Sequence, residues 1–270
     1  MRIKYLIIAL LLCLSLEAQT YINWQPPVVK VDKAHAAHSG RKAKQFEVNN
    51  YDYDAMSEAY YMMPTLEKKE LTPDHGLVSL PRTGMDNYHA LVINQTNGKS
   101  INSSVRYIYA HGKPSKISPT KITQVQKSKL EILPILLPRE HDEYKGSNTH
   151  KFELRFNGEV LPQENITFST SNGTKESFQS DISGRFFVSI PNDFEDVKVG
   201  RRKNKAAEFI LGASYIDNDI KYTTTLAMPY YVNPVDYWNS REAGLGVLII
   251  GLIFGLYLFR NINKKKKRKA

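Results

Sequence analysis

Two histidines three positions apart, His35-Ala-Ala-His38, are the most suggestive chemistry-bearing group in this 270-residue sequence. On a helical turn, residues i and i+3 share a face, so both imidazoles can turn toward one ion. Nitrogen ligands of this kind suit nickel, cobalt, copper or zinc. A solvated surface segment is the competing reading, because no third ligand stands beside them. Glu140-His-Asp-Glu143 gathers carboxylates around His141 and reads either as a cation site or as a solvated linker between domains. His75, His89, His111 and His150 are scattered, and His111-Gly-Lys-Pro114 reads as a turn that ends a strand.

Covalent and acid–base chemistry has less to work with. The sequence holds no G-x-S-x-G, no H-E-x-x-H and no glycine-rich phosphate loop. The expectation is therefore a protein that is not an enzyme, with no catalytic or cofactor-binding residues. A transition-metal ion held by His35 and His38 would be carried as a ligand. Cys13 is the single cysteine, so a region without it has neither disulfides nor thiolate metal sites. The formal net charge of +10 invites a nucleic-acid reading, but seven basic residues lie in the last eleven positions. With the termini set aside the remainder is nearly neutral, so nucleic acid is not an expected partner.

The elements that would position these groups begin with a basic start, Arg2 and Lys4, an apolar run over residues 6–16 and a small residue, Ala18. That order reads as a signal peptide over residues 1–18. Near the other end, residues 243–259 run without a charge and are flanked by Tyr237, Trp238 and Tyr257. A helix of that length spans roughly 25 Å, enough for a short membrane crossing. The basic tail, residues 260–270, marks the cytoplasmic side by the positive-inside rule. The expected location is the bacterial inner membrane, single pass, with the N-terminal region periplasmic. Gly251-Leu-Ile-Phe-Gly255 adds a GxxxG through which two copies could pair weakly.

Between these ends the chain reads as mainly β. Residues 19–86 are expected to form an irregular N-terminal segment, with a short helix near 53–63. A small β-rich domain is expected over residues 87–138, with Asn97-Gly98 as a hairpin turn and Pro134 confining its strand to an edge. Residues 138–148 are polar and turn-rich and read as a domain boundary. From residue 150 to 232, strands alternate apolar and polar: Phe152, Leu154 and Phe156 share one face, and Asn157-Gly158 and Asn172-Gly173 supply turns. This is the pattern of an Ig-like or transthyretin-like β-sandwich.

An extended run ending at Pro138, a charged spacer, Phe156-Asn-Gly-Glu-Val-Leu161, Ser180-Asp-Ile-Ser-Gly-Arg-Phe-Phe187 and Tyr222-Thr-Thr-Thr-Leu226 follow one another in order. Over about residues 85–260 this order resembles the periplasmic DUF4198 family. The resemblance implies a transthyretin-like or Ig-like sandwich with a C-terminal membrane helix, and an accessory role in nickel or cobalt uptake beside an envelope transporter or receptor. The alternative, from a different class, is a structural or adhesion-type β-sandwich that docks another envelope protein through an exposed sheet edge.

Overall fold

The computed structural model describes residues 21–25, 44–139, 142–238 and 241–267, with side chains placed over 44–139, 142–238 and 244–260. The strands are β1 (Tyr21–Gln25), β2 (Lys44–Asn49), β3 (Met56–Met62), β4 (Lys68–Leu71), β5 (Leu77–Leu80), β6 (Met85–Asn97), β7 (Ser100–Ala110), β8 (Lys113–Pro114) and β9 (Leu130–Pro134). They continue with β10 (Tyr144–Lys145), β11 (Thr149–Phe156), β12 (Glu159–Val160), β13 (Asn165–Thr170), β14 (Lys175–Gln179), β15 (Arg185–Ser189), β16 (Ala207–Asp217) and β17 (Ile220–Tyr231). The helices are α1 (Thr120–Gln124), α2 (Pro234–Tyr237) and α3 (Arg241–Lys267), with a 3-10 turn at Arg201–Lys203.

Paired turn residues build the long hairpins. Asn97 lies opposite Ser100 across a loop opened by Gly98. Phe156 lies opposite Glu159, with Asn157 and Gly158 both at positive φ, and the β16–β17 turn does the same with Asn218 and Asp219. Two consecutive left-handed residues match the twist of the strands they join.

The strands form three sheets within one compact unit, which takes in residues up to Asp193 together with Ala206–Tyr231. The largest has the order β14-β13-β16-β17-β7-β6-β3-β4, with β10 on β17 and β8 on β6. Its centre is the parallel pairing of β17 with β7. A three-stranded sheet, β1-β2-β5, covers one half of it: Phe46, Val48, Val78 and Leu80 pack with Ala59, Tyr61, Leu91, Ile93 and Ile108. The four-stranded sheet of β9, β11, β12 and β15 covers the other half, where Phe152 meets Phe209 at 6.3 Å and Phe156 meets Tyr222 at 5.0 Å. Register places the two coverings on opposite faces. The row through Ile93, Ser104 and Thr225 points one way, and the row through Val92, Val105, Leu226 and Leu211 points the other. Polar groups on the first face are paired inward, as in Ser104 Oγ to Thr225 Oγ1 at 2.7 Å and Arg106 Nη2 to Glu208 Oε1 at 2.6 Å.

Mainly β architecture is thus as expected, while the arrangement of its parts differs. Residues 44–86 are not irregular: β2 to β5 lie there, and the helix expected near 53–63 is the strand β3, held in register by β6. Tertiary pairing overrides local propensity where both Tyr60 and Tyr61, on opposite faces, are buried. The polar segment 138–148 carries β10, and its one large aromatic, Tyr144, is buried against Phe152 and Phe209. β9, expected with the first domain, pairs instead with β11, and Pro134 ends it.

The second compact unit comprises Phe194–Lys205 and the chain from Val232 onward. Asn233 caps α2 by accepting the Val235 N–H, with Pro234 next in the helix. α3 is 27 residues long. Among the described residues no helix is long and apolar enough to cross a membrane. Residues 1–18, expected as a signal peptide, lie outside the described residues.

Candidate functional site

A chain of alternating charges crosses the four-stranded sheet on its outer side. It starts at Lys127, whose side chain is 0% exposed and whose Nζ lies 3.9 Å from Glu131 Oε1. The ammonium also donates to the Val125 carbonyl at 2.5 Å and sits 5.6 Å from the centre of the Tyr107 ring. Glu131 Oε1 accepts the backbone N–H groups of Lys127 at 2.7 Å and Ser128 at 3.2 Å. Opposite Glu131 in the ladder stands Arg155, whose Nε donates to Glu153 Oε1 at 2.5 Å, and Glu153 Oε2 takes Arg185 Nε at 3.2 Å. The order of signs from interior to rim is plus, minus, plus, minus, plus.

Burial governs the inner pair. It lowers the Lys127 amine to about 8, against the opposing pull of Glu131, and it raises the Glu131 carboxyl, against Lys127 and the two backbone donors. An amine with a depressed affinity for protons is a nucleophile in principle. Here it is sealed from solvent, so the arrangement joins β9 to the loop before it and offers no reaction centre.

The outer end of the ladder reaches β15, the last strand of its sheet. A tight turn delivers it: Asp181 Oδ1 accepts Ser183 N–H, Ser183 Oγ–H and Arg185 N–H, and the Asp181 N–H donates to the Arg185 carbonyl. Flanking bonds, Leu154 N–H to the Gly184 carbonyl and Ile190 N–H to the Asn148 carbonyl, fix the phase of the β11–β15 ladder. Even-numbered residues of β15 face β11. Phe187 and Ser189 therefore turn their N–H and C=O groups to the side where no strand neighbours β15 among the described residues. The Phe187 side chain is 58% exposed, with Lys151 Nζ 5.3 Å from its ring centre, and Ile182 in the preceding turn is 86% exposed.

Three other edges carry guards. β4 carries Lys68, Lys69 and Glu70, β14 carries Lys175 and Glu176, and β5 runs into Pro81. Charges and proline on an edge oppose pairing with another chain. β15 has Arg185 at its start, turned to Glu153, and Pro191 two residues past its end, with the exposed Phe187 between them.

A second polar cluster pins β13, β17 and the chain after β15. Asp193 accepts from Thr170 Oγ1 at 2.6 Å, Thr174 Oγ1 at 2.7 Å, Tyr230 OH at 2.5 Å and Asn172 Nδ2 at 3.3 Å. Burial alone would raise its carboxyl, but these four donors outweigh burial and hold it below its ordinary value. A carboxylate of this kind stabilises the fold above the unfolded value near 3.9, and that contribution fades as pH falls through the lower folded one. Asp193→Asn is expected to cost about 1–3 kcal/mol at neutral pH. In urea titrations from pH 7 down to 2.5, the gap between variant and parent should close as the parent becomes protonated. An equal gap at all pH values would remove the carboxylate's role.

The expected metal ligands His35 and His38 lie outside the described residues, as do Glu140 and His141. Asp142 takes Lys145 Nζ at 2.7 Å. His75 and His111 each lie just under 4 Å from an aspartate, Asp74 and Asp86. His89 is buried and His150 half-buried, and desolvation lowers both. Among the described residues no three His, Cys, Asp or Glu side chains come together as a metal site. The residues that sequence reasoning missed are Lys127, Glu131, Glu153, Arg155, Arg185 and Phe187. A signal was present in Glu153-Leu-Arg155, where two opposite charges share one face of a strand whose other face is apolar.

No family model and no curated protein matches the chain. Among solved structures, a two-domain fibronectin type-III segment from chicken tenascin aligns at TM-score 0.23 and 8% identity, over 78% of this chain and 99% of that one. A Ca2+-stabilized adhesin from an Antarctic bacterium that binds ice aligns at 0.25 and 12%, over 80% and 49%. The D0-D1 domain of intimin aligns at 0.24 and 10%, over 70% and 91%. At these scores nothing of their function is carried over.

Proposed function

We propose that this chain is a non-enzymatic interaction module of the bacterial cell envelope, an adhesion-type, Ig-like β-sandwich held at the inner membrane by α3, which docks its partner by adding a strand to β15. One observation carries the reading: main-chain groups at Phe187 and Ser189, without a strand neighbour among the described residues, lie beside an exposed aromatic. Strand addition draws its affinity from such main-chain groups and its specificity from neighbouring side chains.

The anchor has support of its own. From Leu245 to Phe259 the large side chains of α3 are apolar and exposed all around the helix, a pattern suited to lipid and unfavourable in water. Lys264 to Lys269 and Arg260 supply the basic side. Nickel or cobalt uptake, implied by the family resemblance, rests on His35 and His38, and no observation on the described residues favours it.

A photo-crosslinking amino acid at Phe187 in the full chain, expressed in bacterial membranes, is expected to trap a discrete adduct. The same probe at Ile216, which is 67% exposed at a distant hairpin, is the control. Absence of an adduct at 187, or the same adducts at both positions, would overturn the edge as a docking site.

A further inference from the structure

We infer that the strand received by β15 is the β15 of a second copy of this chain, paired antiparallel about a two-fold axis at Val188. The inference rests on the reading of β15 as a docking edge and names its occupant.

The register follows from which groups are free. Arg185 already has its outward N–H and C=O engaged with Asp181, so only Phe187 and Ser189 offer both. An axis at Val188 sets Phe187 of each copy opposite Ser189 of the other and uses all four groups of each edge in four hydrogen bonds. An axis at Phe187 would use half of them and would ask Arg185 to leave its turn.

Side chains agree with that register. Phe187 and Ser189 lie on the outer face, where burial alternates along β15, so each exposed ring would stand opposite the small Ser189 of the other copy, with the two rings as diagonal neighbours ~7–8 Å apart. Arg185 would fall opposite position 191, which places the two Arg185 side chains about 20 Å apart along the strands. Like charges therefore do not meet. The buried Val188 stays on the inner face, continuous with each core.

An edge of five residues buries less than the ~1,200 Å² that stable complexes use. Pairing through it gains from tethering both copies to one membrane, which raises their effective concentration. α3 offers a compatible feature: a Cβ added at Gly251 or Gly255 would meet nothing within 4 Å, so a second helix has room to approach the GxxxG.

Paired cysteines in the full chain test the register, in a background with Cys13, the only cysteine, changed to serine. Directly opposed residues stand ~5.5 Å apart at Cα, within disulfide reach. Co-expressed Phe187→Cys and Ser189→Cys chains, oxidised in membranes, are expected to give a disulfide-linked dimer at least tenfold more abundant than either chain gives alone. Phe187→Pro removes an outward N–H and no bond to β11. It should keep the parent's far-UV circular dichroism and lower the dimer fraction of detergent-solubilised chain on light scattering. No dimer from the cysteine mixture, or an equally strong dimer from Phe187→Cys alone, would overturn the two-fold pairing at Val188. If the photo-probe at 187 traps a different protein while the mixture stays monomeric, the docking edge stands and the second copy is excluded.

Discussion

Glu131→Gln is expected to lower the stability of the folded chain by about 3–5 kcal/mol, the usual cost of leaving one member of a buried ion pair without its counter-charge. The glutamine oxygen can still accept the N–H groups of Lys127 and Ser128, so the loss isolates the charge from the hydrogen bonds. What remains is an ammonium with no exposed surface, a carbonyl on one side and the Tyr107 ring on another. Neutralising the amine bounds the penalty, because a buried lysine sheds its proton once holding it costs more than losing it. Adding Lys127→Met to Glu131→Gln should restore most of the loss, since an unpaired charge and not a cavity is the cause. Equilibrium urea unfolding of the parent, both single variants and the double variant closes the cycle. If the double variant is no more stable than Glu131→Gln alone, the pair is not the source.

The same residue sets a pH dependence whose sign can be worked out. Lys127 holds its proton with an affinity lowered to about 8 when folded, against about 10.4 for a free lysine. Between those values the unfolded chain binds the proton that the folded chain has released, so stability climbs as pH rises through that window. Glu131, raised by burial, acts at the acid end, where stability falls as pH rises from its unfolded value through its folded one. Urea midpoints from pH 7 to 10.5 should therefore rise in the parent relative to Lys127→Met.

Gly184→Ala is the second large effect, about 2–4 kcal/mol. Part of it is conformational: φ is +69°, a left-handed backbone that costs a side-chain-bearing residue about 1–2 kcal/mol. The rest is steric, since the new Cβ would stand 2.9 Å from the Leu154 carbonyl oxygen, 3.0 Å from Val160 Cβ and 3.1 Å from the Leu161 nitrogen. That carbonyl already accepts the Leu161 N–H, and Leu154 N–H donates back to Gly184, so neither side yields without loosening a ladder bond. Gly98→Ala separates the two terms: φ is +56° there but nothing lies within 4 Å, so it should lose only about 1–2 kcal/mol. Equal losses at both positions in thermal or urea unfolding would mean that the close approach at Gly184 is relieved at no cost. Because Gly184 closes the turn into β15, its alanine variant should also weaken capture at the Phe187 probe.

Much of the fold was legible because local chemistry decides it. Asn97-Gly98 and Asn157-Gly158 announce their hairpins, since few residues accept the backbone those turns demand. Phe152 and Leu154, alternating with charged neighbours, announce a strand with one buried face. Polar flanks hid β2, although Phe46 and Val48 alternate just as clearly. β3 was misread because buried tyrosines on both faces destroy the period of two.

By itself, the sequence determined a mainly β chain, its principal turns, the absence of cysteine beyond Cys13, and an uncharged apolar stretch before a basic tail. Each of these depends on residues close together along the chain. Tertiary structure alone decided that β7 lies parallel to β17, that two smaller sheets cover opposite faces of one large sheet, that Lys127 and Glu131 are sealed together, and that β15 is left at an edge. Those outcomes depend on which distant strands find each other, and main-chain hydrogen bonds are the same for every residue that forms them. Local pattern therefore announces a strand without naming its neighbour, and only the packed sheets reveal which edge has none.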